Sequence, residues 1–166
     1  GHCIPIDPFY LSWKARQFGF ESRFIELAGH INGGMPRYVV ERVAEALNSV
    51  AKPLKGSKVH LFGMAYKPDV TDYRESPAID VAELLERRGA LVSYSDDFVP
   101  SMAAEHGHRE RTAVPVAEAL AQGFDCAVIT TNHKTFDYDA IVKASPIVLD
   151  TRNALKGRSE PHIFRL

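Results

Sequence analysis

Several features that would define a functional class are scarce in this sequence or missing from it. Its two cysteines, Cys3 and Cys126, lie in unrelated contexts, which argues against a disulfide scaffold and favours a reducing, cytoplasmic compartment. No uninterrupted apolar run approaches the length of a membrane span, and no basic segment followed by an apolar core opens the chain. The formal net charge of -1 gives no electrostatic reason to expect nucleic acid or an anionic membrane as a partner.

The glycine fingerprint of dinucleotide-binding folds is also missing. The first predicted strand, Lys58–Met64, continues from Gly63 as GMAYK and not as G-x-G-x-x-G. Without that glycine turn a helix N-terminus cannot approach a pyrophosphate closely, so we do not expect this part of the chain to bind NAD. Asp96, at the end of the next predicted strand, is either a mimic of the acidic residue that binds a ribose or a solvated strand end.

The composition is that of an ordinary globular domain with an extension. The chain has 166 residues, of which 45% are hydrophobic and 25% charged. It has no initiator methionine and opens directly on the dense motif GHCIPIDP. We therefore expect it to be a fragment of a longer protein.

The most informative stretch is Lys58–Gly89, which predicts a strand, a long loop and a helix. Ser76 is a good N-cap residue, and Pro77 suits the first helical position. Gly89 follows two arginines, as is typical of a helix C-terminus. The loop Ala65–Glu75 between strand and helix is polar, and in an open α/β sheet it lies where ligands bind.

Apolar segments and helical segments alternate after this unit. Further strands are predicted at Ala90–Ser95, Phe124–Thr131 and Ile147–Leu149, with helices at Pro115–Gln122 and Asp137–Lys143. The alternation predicts an α/β fold with a parallel, doubly wound sheet.

The N-terminal third predicts helices without strands. Gly1–Pro8 has the composition of a loop, and helices are predicted at Phe9–Phe20 and Arg23–Asn32. Gly33-Gly34 predicts a break, after which Pro36–Val50 forms a strong helix. Its apolar stripe is wide, so we expect this helix to join domains or subunits.

Two cations follow strands of the predicted sheet. Lys67 comes after the first strand and Arg152 after the last, and parallel strands bring both to the same edge. Two cations in one crevice suit a diphosphate, although solvated surface charge explains them equally well.

Cys3 is the candidate nucleophile, with Asp7 as its nearest carboxylate. A reactive thiolate needs a nearby base, cation or amide dipole, and His2 is adjacent in sequence without having to face the sulfur. The alternative is that Cys3 and Asp7 are ordinary surface residues. Cys126 lies within an apolar strand and is predicted to be a core residue.

The remaining charged loop residues have two interpretations each. His106 and His108 lack the spacing and partners of a metal site, so no metal is predicted. His133 follows a strand and either contacts a ligand or is solvated. Arg74 either contacts a ligand or holds the long loop by bonding an acidic neighbour.

Three separated motifs, GHCIPIDPFYLSWKA, FIELAGHINGGMPRYVVERVAEALN and GMAYKPDVTDYRESPA, occur in this order. Together they resemble the UDP-glucose/GDP-mannose dehydrogenase family, from its catalytic cysteine to its C-terminus. The GHCIPID form of the first motif is similar to the branch that oxidises UDP-N-acetylhexosamines.

The resemblance implies an NAD-dependent oxidation of C6 of a nucleotide sugar, from alcohol to carboxylate, in two hydride transfers. Cys3 matches the nucleophile that forms the thiohemiacetal and the thioester, and Asp7 the carboxylate that positions or activates water. Tyr66 and Lys67 match the aromatic–lysine pair at the substrate nucleotide, and Arg152 an arginine near the same nucleotide.

The resemblance also implies an architecture. Residues 1–52 would form the cysteine loop and a helical dimerisation segment, with a homodimer contact through helix 36–50. Residues 53–166 would form the C-terminal, Rossmann-like UDP-sugar-binding domain. The NAD-binding N-terminal domain of the family is absent from this sequence, so we expect the fragment alone to be inactive.

Two other functions remain open at the level of sequence. One is a non-catalytic nucleotide-binding module that keeps the fold and has lost the chemistry. The other is a thiol redox protein that uses Cys3, which predicts a reactive thiol and no affinity for UDP.

Overall fold

The computed structural model describes residues 3–104 and 108–166 of the chain, so His2 and His106 lie outside the described residues. The helices are α1 (Cys3–Arg16), α2 (Arg23–Asn48), α3 (Pro77–Arg87), α4 (Val116–Gln122) and α5 (Tyr138–Ala144). The strands are β1 (Lys58–Phe62), β2 (Leu91–Ser95), β3 (Ser101–Met102), β4 (Arg111–Thr112), β5 (Cys126–Ile129), β6 (Val148–Asp150) and β7 (Ile163–Arg165).

Five strands form one sheet in the order β2-β1-β5-β6-β7, and each pairing in it is parallel. The predicted parallel α/β fold is therefore confirmed. Two details were not predicted. β7 adds a fifth strand, and β3 and β4 pair antiparallel within a segment, 98–112, for which no strand was predicted.

Both faces of the sheet are covered. Leu61 and Val128 belong to a core that includes residues of α2 and α3. Phe62 and Ile129, one residue further along β1 and β5, belong to a second core that includes Ile141 of α5. Successive side chains of a strand point to opposite faces, so two covered faces favour central strands with near-continuous apolar runs, as in β5.

α3 begins and ends as the sequence predicts. The hydroxyl of Ser76 accepts a hydrogen bond from the backbone N–H of Ala78 at 3.4 Å, and Pro77 is the first helical residue. Gly89 follows the helix with a φ of +87°, a value that glycine adopts without strain.

α1 begins at Cys3, so the prediction of a loop over residues 1–8 is wrong from Cys3 onward. Pro8 lies inside the helix and removes one intrahelical hydrogen bond. Contacts with α2 offset this loss. The ring of Phe9 lies against Gly29, where an added Cβ would approach it to 2.1 Å, and Ser12 donates a hydrogen bond to Glu26.

α2 runs unbroken for 26 residues from Arg23 to Asn48, so the predicted break at Gly33-Gly34 is wrong. A glycine inside a helix costs about 1 kcal/mol and a proline about 3 kcal/mol. Packing along both halves of the helix offsets these costs. The first half contacts α1, and the second half buries an apolar stripe in the core. That stripe consists of Val39, Val40, Val43, Ala46 and Leu47.

Burial shows how residues 36–50 pack within the chain. Their apolar stripe belongs to the core formed with the sheet and α3, so a partner can contact only the outward side chains of this helix. The large exposed apolar side chains lie mostly on α1, the turn after it and the first half of α2. They include Phe9, Tyr10, Leu11, Trp13, Phe18, Phe20, Phe24, Leu27 and Ile31.

Within residues 3–104 and 108–166, no helix combines the length and the apolar character that crossing a membrane would require.

His60 is a buried polar residue in the middle of the sheet. Its Nδ1 lies 2.8 Å from the hydroxyl of Ser93 and its Nε2 2.8 Å from the hydroxyl of Ser95. The Ser95 hydroxyl donates to the carbonyl of Val114, so it accepts from Nε2–H, and Nδ1 accepts from Ser93. Burial lowers the pKa of His60 from its ordinary value of 6.5 to about 4.

This lowered pKa predicts a loss of stability in mild acid. Between pH 6.5 and about 4 the unfolded chain binds a proton at His60 that the folded chain rejects, so stability decreases as the pH falls through this window. When the pH is lowered through this window, the free energy of unfolding should drop by roughly 3 kcal/mol more in the native chain than in His60→Gln. Urea titrations at several pH values measure the difference, and parallel pH profiles for the two proteins would contradict it.

Candidate functional site at the carboxyl edge of the sheet

Four loops meet at the carboxyl edge of the parallel sheet, after β2, β1, β5 and β6. β5 separates β1 from β6, and neighbouring strands lie ~4.8 Å apart, so the ends of β1 and β6 are about 10 Å apart. Lys67 follows β1 and Arg152 follows β6. The predicted convergence of these two loops on one edge is therefore observed at the level of the backbone.

Asp96, the residue after β2, organises this edge. Its side chain is buried, and its Oδ2 accepts hydrogen bonds from the backbone N–H groups of Met64 at 2.6 Å and Ala65 at 2.8 Å. Its Oδ1 accepts from the backbone N–H groups of Phe98 and Val99. Both oxygens are therefore occupied by the chain itself.

The ionisation of Asp96 follows from this arrangement. Burial disfavours the charged carboxylate, but hydrogen bonds from His133 and from three backbone N–H groups outweigh burial. The pKa of Asp96 consequently lies below its ordinary value. The carboxylate is a buried anion that holds its surroundings in place, which excludes the sequence interpretation of a solvated strand end.

His133, in the loop after β5, is fully buried and joins two other loops. Its Nε2 lies 3.0 Å from Oδ2 of Asp96, and its Nδ1 accepts from the backbone N–H of Asp69 at 2.9 Å. An amide N–H can only donate, so Nδ1 carries no proton and Nε2–H donates to the carboxylate. The ring stacks on Phe98, so the interpretation of a solvated histidine is wrong.

The segment 65–69, which we call the arch, is held at both ends. At its start, Ala65 donates to Asp96 and its carbonyl accepts from the hydroxyl of Thr131 at 2.6 Å. At its end, Asp69 donates to His133 and accepts from the backbone N–H of Lys134 at 3.0 Å. The hydrogen bond from this N–H, aided by the lysine ammonium, lowers the pKa of Asp69. Asp69 itself has a φ of +61°.

The predicted substrate residues lie on the arch and beyond β6. Tyr66 is half-buried, Lys67 is exposed, and both lie between the two fixed ends of the arch. Arg152 is exposed and lines a cavity of about 440 Å³ together with Asn132 and Asn153.

The loop that carries Arg152 is held from below by Asp150, which is buried at the end of β6. Its carboxylate accepts hydrogen bonds from the backbone N–H groups of Arg152, Ala154 and Leu155.

The rest of the long loop confirms one interpretation and adds a detail. Arg74 donates from Nε and Nη2 to the two carboxylate oxygens of Asp72, at 3.0 and 2.9 Å. Arg74 thus holds the loop through an acidic neighbour, as one of its two interpretations predicts. The carbonyl of Asp72 in turn accepts from the backbone N–H of Tyr66 at 2.8 Å.

Cys3 and Asp7 lie elsewhere, on α1. Both side chains are exposed, and Cys3 is a free thiol. They are one helical turn apart, so they share a face of α1. The contacts of α1 described above are with α2. Cys126 is buried in β5, which confirms it as a core residue, and burial raises its pKa to about 12.

Sequence reasoning undervalued Asp96, His133 and Asp69. A signal was present, since each follows a predicted strand directly or within a few residues, but their mutual contacts depend on strand order. Over residues 3–104 and 108–166, no group of three or more His, Cys, Asp or Glu side chains is placed to hold a metal ion.

The geometry does not fit a dinucleotide. Asp96, at the position that could bind a ribose, is buried with both oxygens engaged by protein donors. The long loop separates β1 from the start of α3, whose N-cap Ser76 is itself buried, so no tight turn presents a helix N-terminus after β1.

Comparison with known proteins identifies the family of this sheet domain. Residues 60–157 match the profile of the UDP-glucose/GDP-mannose dehydrogenase family, UDP binding domain. UDP-N-acetyl-D-mannosamine dehydrogenase from Methanococcus maripaludis is 33% identical over 164 residues, which cover 94% of this chain and 35% of that protein. UDP-N-acetyl-D-glucosamine 6-dehydrogenase from Salmonella typhi is 31% identical over 136 residues, which cover 82% and 31%.

Among solved structures, UDP-D-ManNAc dehydrogenase from Pyrococcus horikoshii superposes with a TM-score of 0.81 at 28% identity, covering 99% of this chain and 37% of that one. The chain thus spans about a third of the length of the curated relatives it matches. Since the family profile covers more than half of its residues, the chain belongs to the UDP-glucose/GDP-mannose dehydrogenase family and carries the UDP binding domain of that family.

Proposed function

We propose that this chain is the substrate-binding part of an NAD-dependent UDP-N-acetylhexosamine 6-dehydrogenase. The carrying observation is that Lys67, on an arch fixed at both ends, and Arg152 lie in loops at one edge of the sheet, with only β5 between their strands. Two cations there suit the diphosphate of a UDP-sugar. The names of the similar proteins from M. maripaludis and S. typhi favour an N-acetylhexosamine as the sugar.

The proposed reaction converts the C6 alcohol of the sugar to a carboxylate. Cys3 adds its sulfur to the C6 aldehyde to form a thiohemiacetal, and oxidation of that adduct gives a thioester. Water then attacks the thioester carbonyl and releases the carboxylate and the Cys3 thiol. Asp7, on the same face of α1, is placed to orient that water.

NAD+ supplies the hydride acceptor for both oxidations in this proposal, and a domain outside these residues holds it. The carboxyl edge of this sheet does not fit the dinucleotide, as described above. We therefore expect this chain alone to form no NADH from a UDP-sugar. NADH formation by the purified chain would contradict that expectation.

The division of labour in the chain is part of the proposal. Residues 1–52 carry the cysteine and the dimerisation helix, and residues 53–166 hold the nucleotide. The whole protein is proposed to be cytoplasmic. A homodimer contact on residues 36–50 can use only outward side chains such as Tyr38 and Val50, joined by the exposed apolar residues of the preceding turns. Light scattering that gives a monomeric mass would contradict the dimer.

Calorimetric titration with UDP-N-acetylglucosamine tests the function, with NAD+ titrated in parallel. We expect heat from the UDP-sugar alone. Lys67→Ala should weaken binding at least tenfold, since a charge-assisted hydrogen bond to phosphate contributes about 1.5–3 kcal/mol. Lys143→Ala, which removes an exposed charge from α5, should leave the affinity unchanged.

Two outcomes would overturn the proposal. Binding of NAD+ without binding of the UDP-sugar would assign the edge to the cofactor. Heat from neither ligand would contradict a self-sufficient nucleotide site, and combined with a reactive Cys3 thiol it would favour a thiol redox protein.

A further inference from the structure

One hydrogen-bond path between the two ends of the arch runs through two side chains, those of Asp96 and His133. The backbone N–H of Ala65 donates to Oδ2 of Asp96 at 2.8 Å, and the same oxygen lies 3.0 Å from Nε2 of His133. On the other side of the ring, Nδ1 accepts from the backbone N–H of Asp69 at 2.9 Å. The imidazole therefore ties the end of the arch, at Asp69, to the carboxylate that holds its start.

The environment of His133 makes this connection rigid. The ring is 0% exposed, it stacks on Phe98 at 4.8 Å between ring centroids, and it meets the edge of Phe136 at 5.3 Å. A buried ring between two aromatic neighbours cannot rotate without losing both of its hydrogen bonds. The two ends of the arch are thus kept at a fixed separation.

We propose that His133 is a positioning residue for nucleotide binding. It fixes the arch so that Lys67 meets the diphosphate without first having to become ordered. The inference rests on the function proposed above, and it assigns to His133 a role in affinity that acts through Lys67 and involves no contact with the substrate. Preorganised binding groups lose less entropy on association, which is the source of the expected gain in affinity.

Two substitutions separate the two hydrogen bonds of the ring. In His133→Asn the amide oxygen lies the same number of bonds from Cβ as Nδ1, so it can still accept from Asp69. In His133→Gln the amide nitrogen lies the same number of bonds from Cβ as Nε2, so it can still donate to Asp96. Each variant keeps one buried hydrogen bond and loses the other, so a purely structural role predicts similar losses of thermal stability and of UDP affinity.

The positioning role predicts a difference between them. We expect His133→Gln to weaken UDP binding at least tenfold relative to His133→Asn, and to speed hydrogen exchange at the amide of Asp69 at least tenfold relative to that variant. Both quantities are measured on the full chain, by calorimetry with UDP and by amide exchange in NMR spectra. Equal affinities and equal exchange rates in the two variants would overturn the inference.

The unmodified chain supplies a measurement that does not depend on how the variants fold. Its Asp69 amide should be protected from exchange, and the nitrogen resonances of His133 should report the Nε2–H tautomer. An unprotected amide or the opposite tautomer would overturn the bridge. If the unmodified chain fails to bind UDP, the proposed function falls, whereas exchange at Asp69 still decides whether His133 fixes the arch.

Discussion

Replacing Asp96 with alanine is expected to lower the free energy of unfolding by about 4 kcal/mol. Asp96 is 4% exposed, and its carboxylate accepts hydrogen bonds from four backbone N–H groups, of which that of Ala65 begins the arch. It also accepts from Nε2 of His133. Alanine would leave these buried donors without a partner, and each unsatisfied buried donor costs about 1–3 kcal/mol, partly relieved by entering water.

The neighbouring residue Asp97 supplies the control, because it carries the same charge one position on and is exposed. Asp97→Ala should change stability by less than about 0.5 kcal/mol. Since the pKa of Asp96 lies below its ordinary value of 3.8, its stabilisation is complete above that pH and is lost as the pH falls through the folded-state pKa. Urea unfolding at neutral pH therefore measures the full effect, and equal stabilities of the two variants would refute the role of Asp96.

Replacing Gly63 with alanine should also cost about 4 kcal/mol, for a different reason. Gly63 has a φ of +94°, where an L-residue pays about 1–2 kcal/mol. An added Cβ would lie 2.4 Å from the carbonyl oxygen of Thr131 and 2.7 Å from its nitrogen. These are backbone atoms that cannot rotate away, so overpacking adds about 1–3 kcal/mol.

Gly157→Ala separates the two contributions. Its φ is +86°, and among the described residues other than its two chain neighbours no heavy atom lies within 4 Å of an added Cβ, so it tests the backbone cost alone. Thermal unfolding of the two variants should show the larger loss for Gly63→Ala. The hydroxyl of Thr131 also donates to the carbonyl of Ala65, at the start of the arch. Gly63→Ala should therefore also weaken UDP binding in the fraction of the protein that remains folded. A cost at Gly63 no larger than that at Gly157 would show that β1 and the loop after β5 separate easily.

The N-terminal helices show where local sequence signals were insufficient. Gly33-Gly34 and Pro36 are helix breakers by intrinsic preference, yet α2 continues through them. Pro8 lies inside α1 in the same way. At about 1 kcal/mol for each glycine and about 3 kcal/mol for each proline, these backbone costs reach roughly 8 kcal/mol. They are offset by contacts between residues that are distant in sequence, such as Phe9 with Gly29.

In the candidate site, the exposed cations could be predicted from the sequence, whereas the buried charged pair could not. Lys67 and Arg152 could be placed at one edge because each follows a strand, and the rule for parallel sheets needs no further information. The buried pair Asp96 and His133 could not be recognised, because a charged residue after a strand is usually solvated. Its burial depends on Phe98 and on the arch, which close over it only in the folded chain.

The sequence by itself determined the alternation of strands and helices, the capped ends of α3, the family and the loops that lie at the carboxyl edge of the sheet. These properties depend on residues close together in the chain, through periodicity, capping and motif spacing. Tertiary structure alone decided that α2 is one helix and that the arch is fixed. The hydrogen bonds that fix the arch join pairs of residues separated in sequence by 31, 37 and 64 positions. The order of the strands in the sheet brings these donors and acceptors within hydrogen-bonding distance.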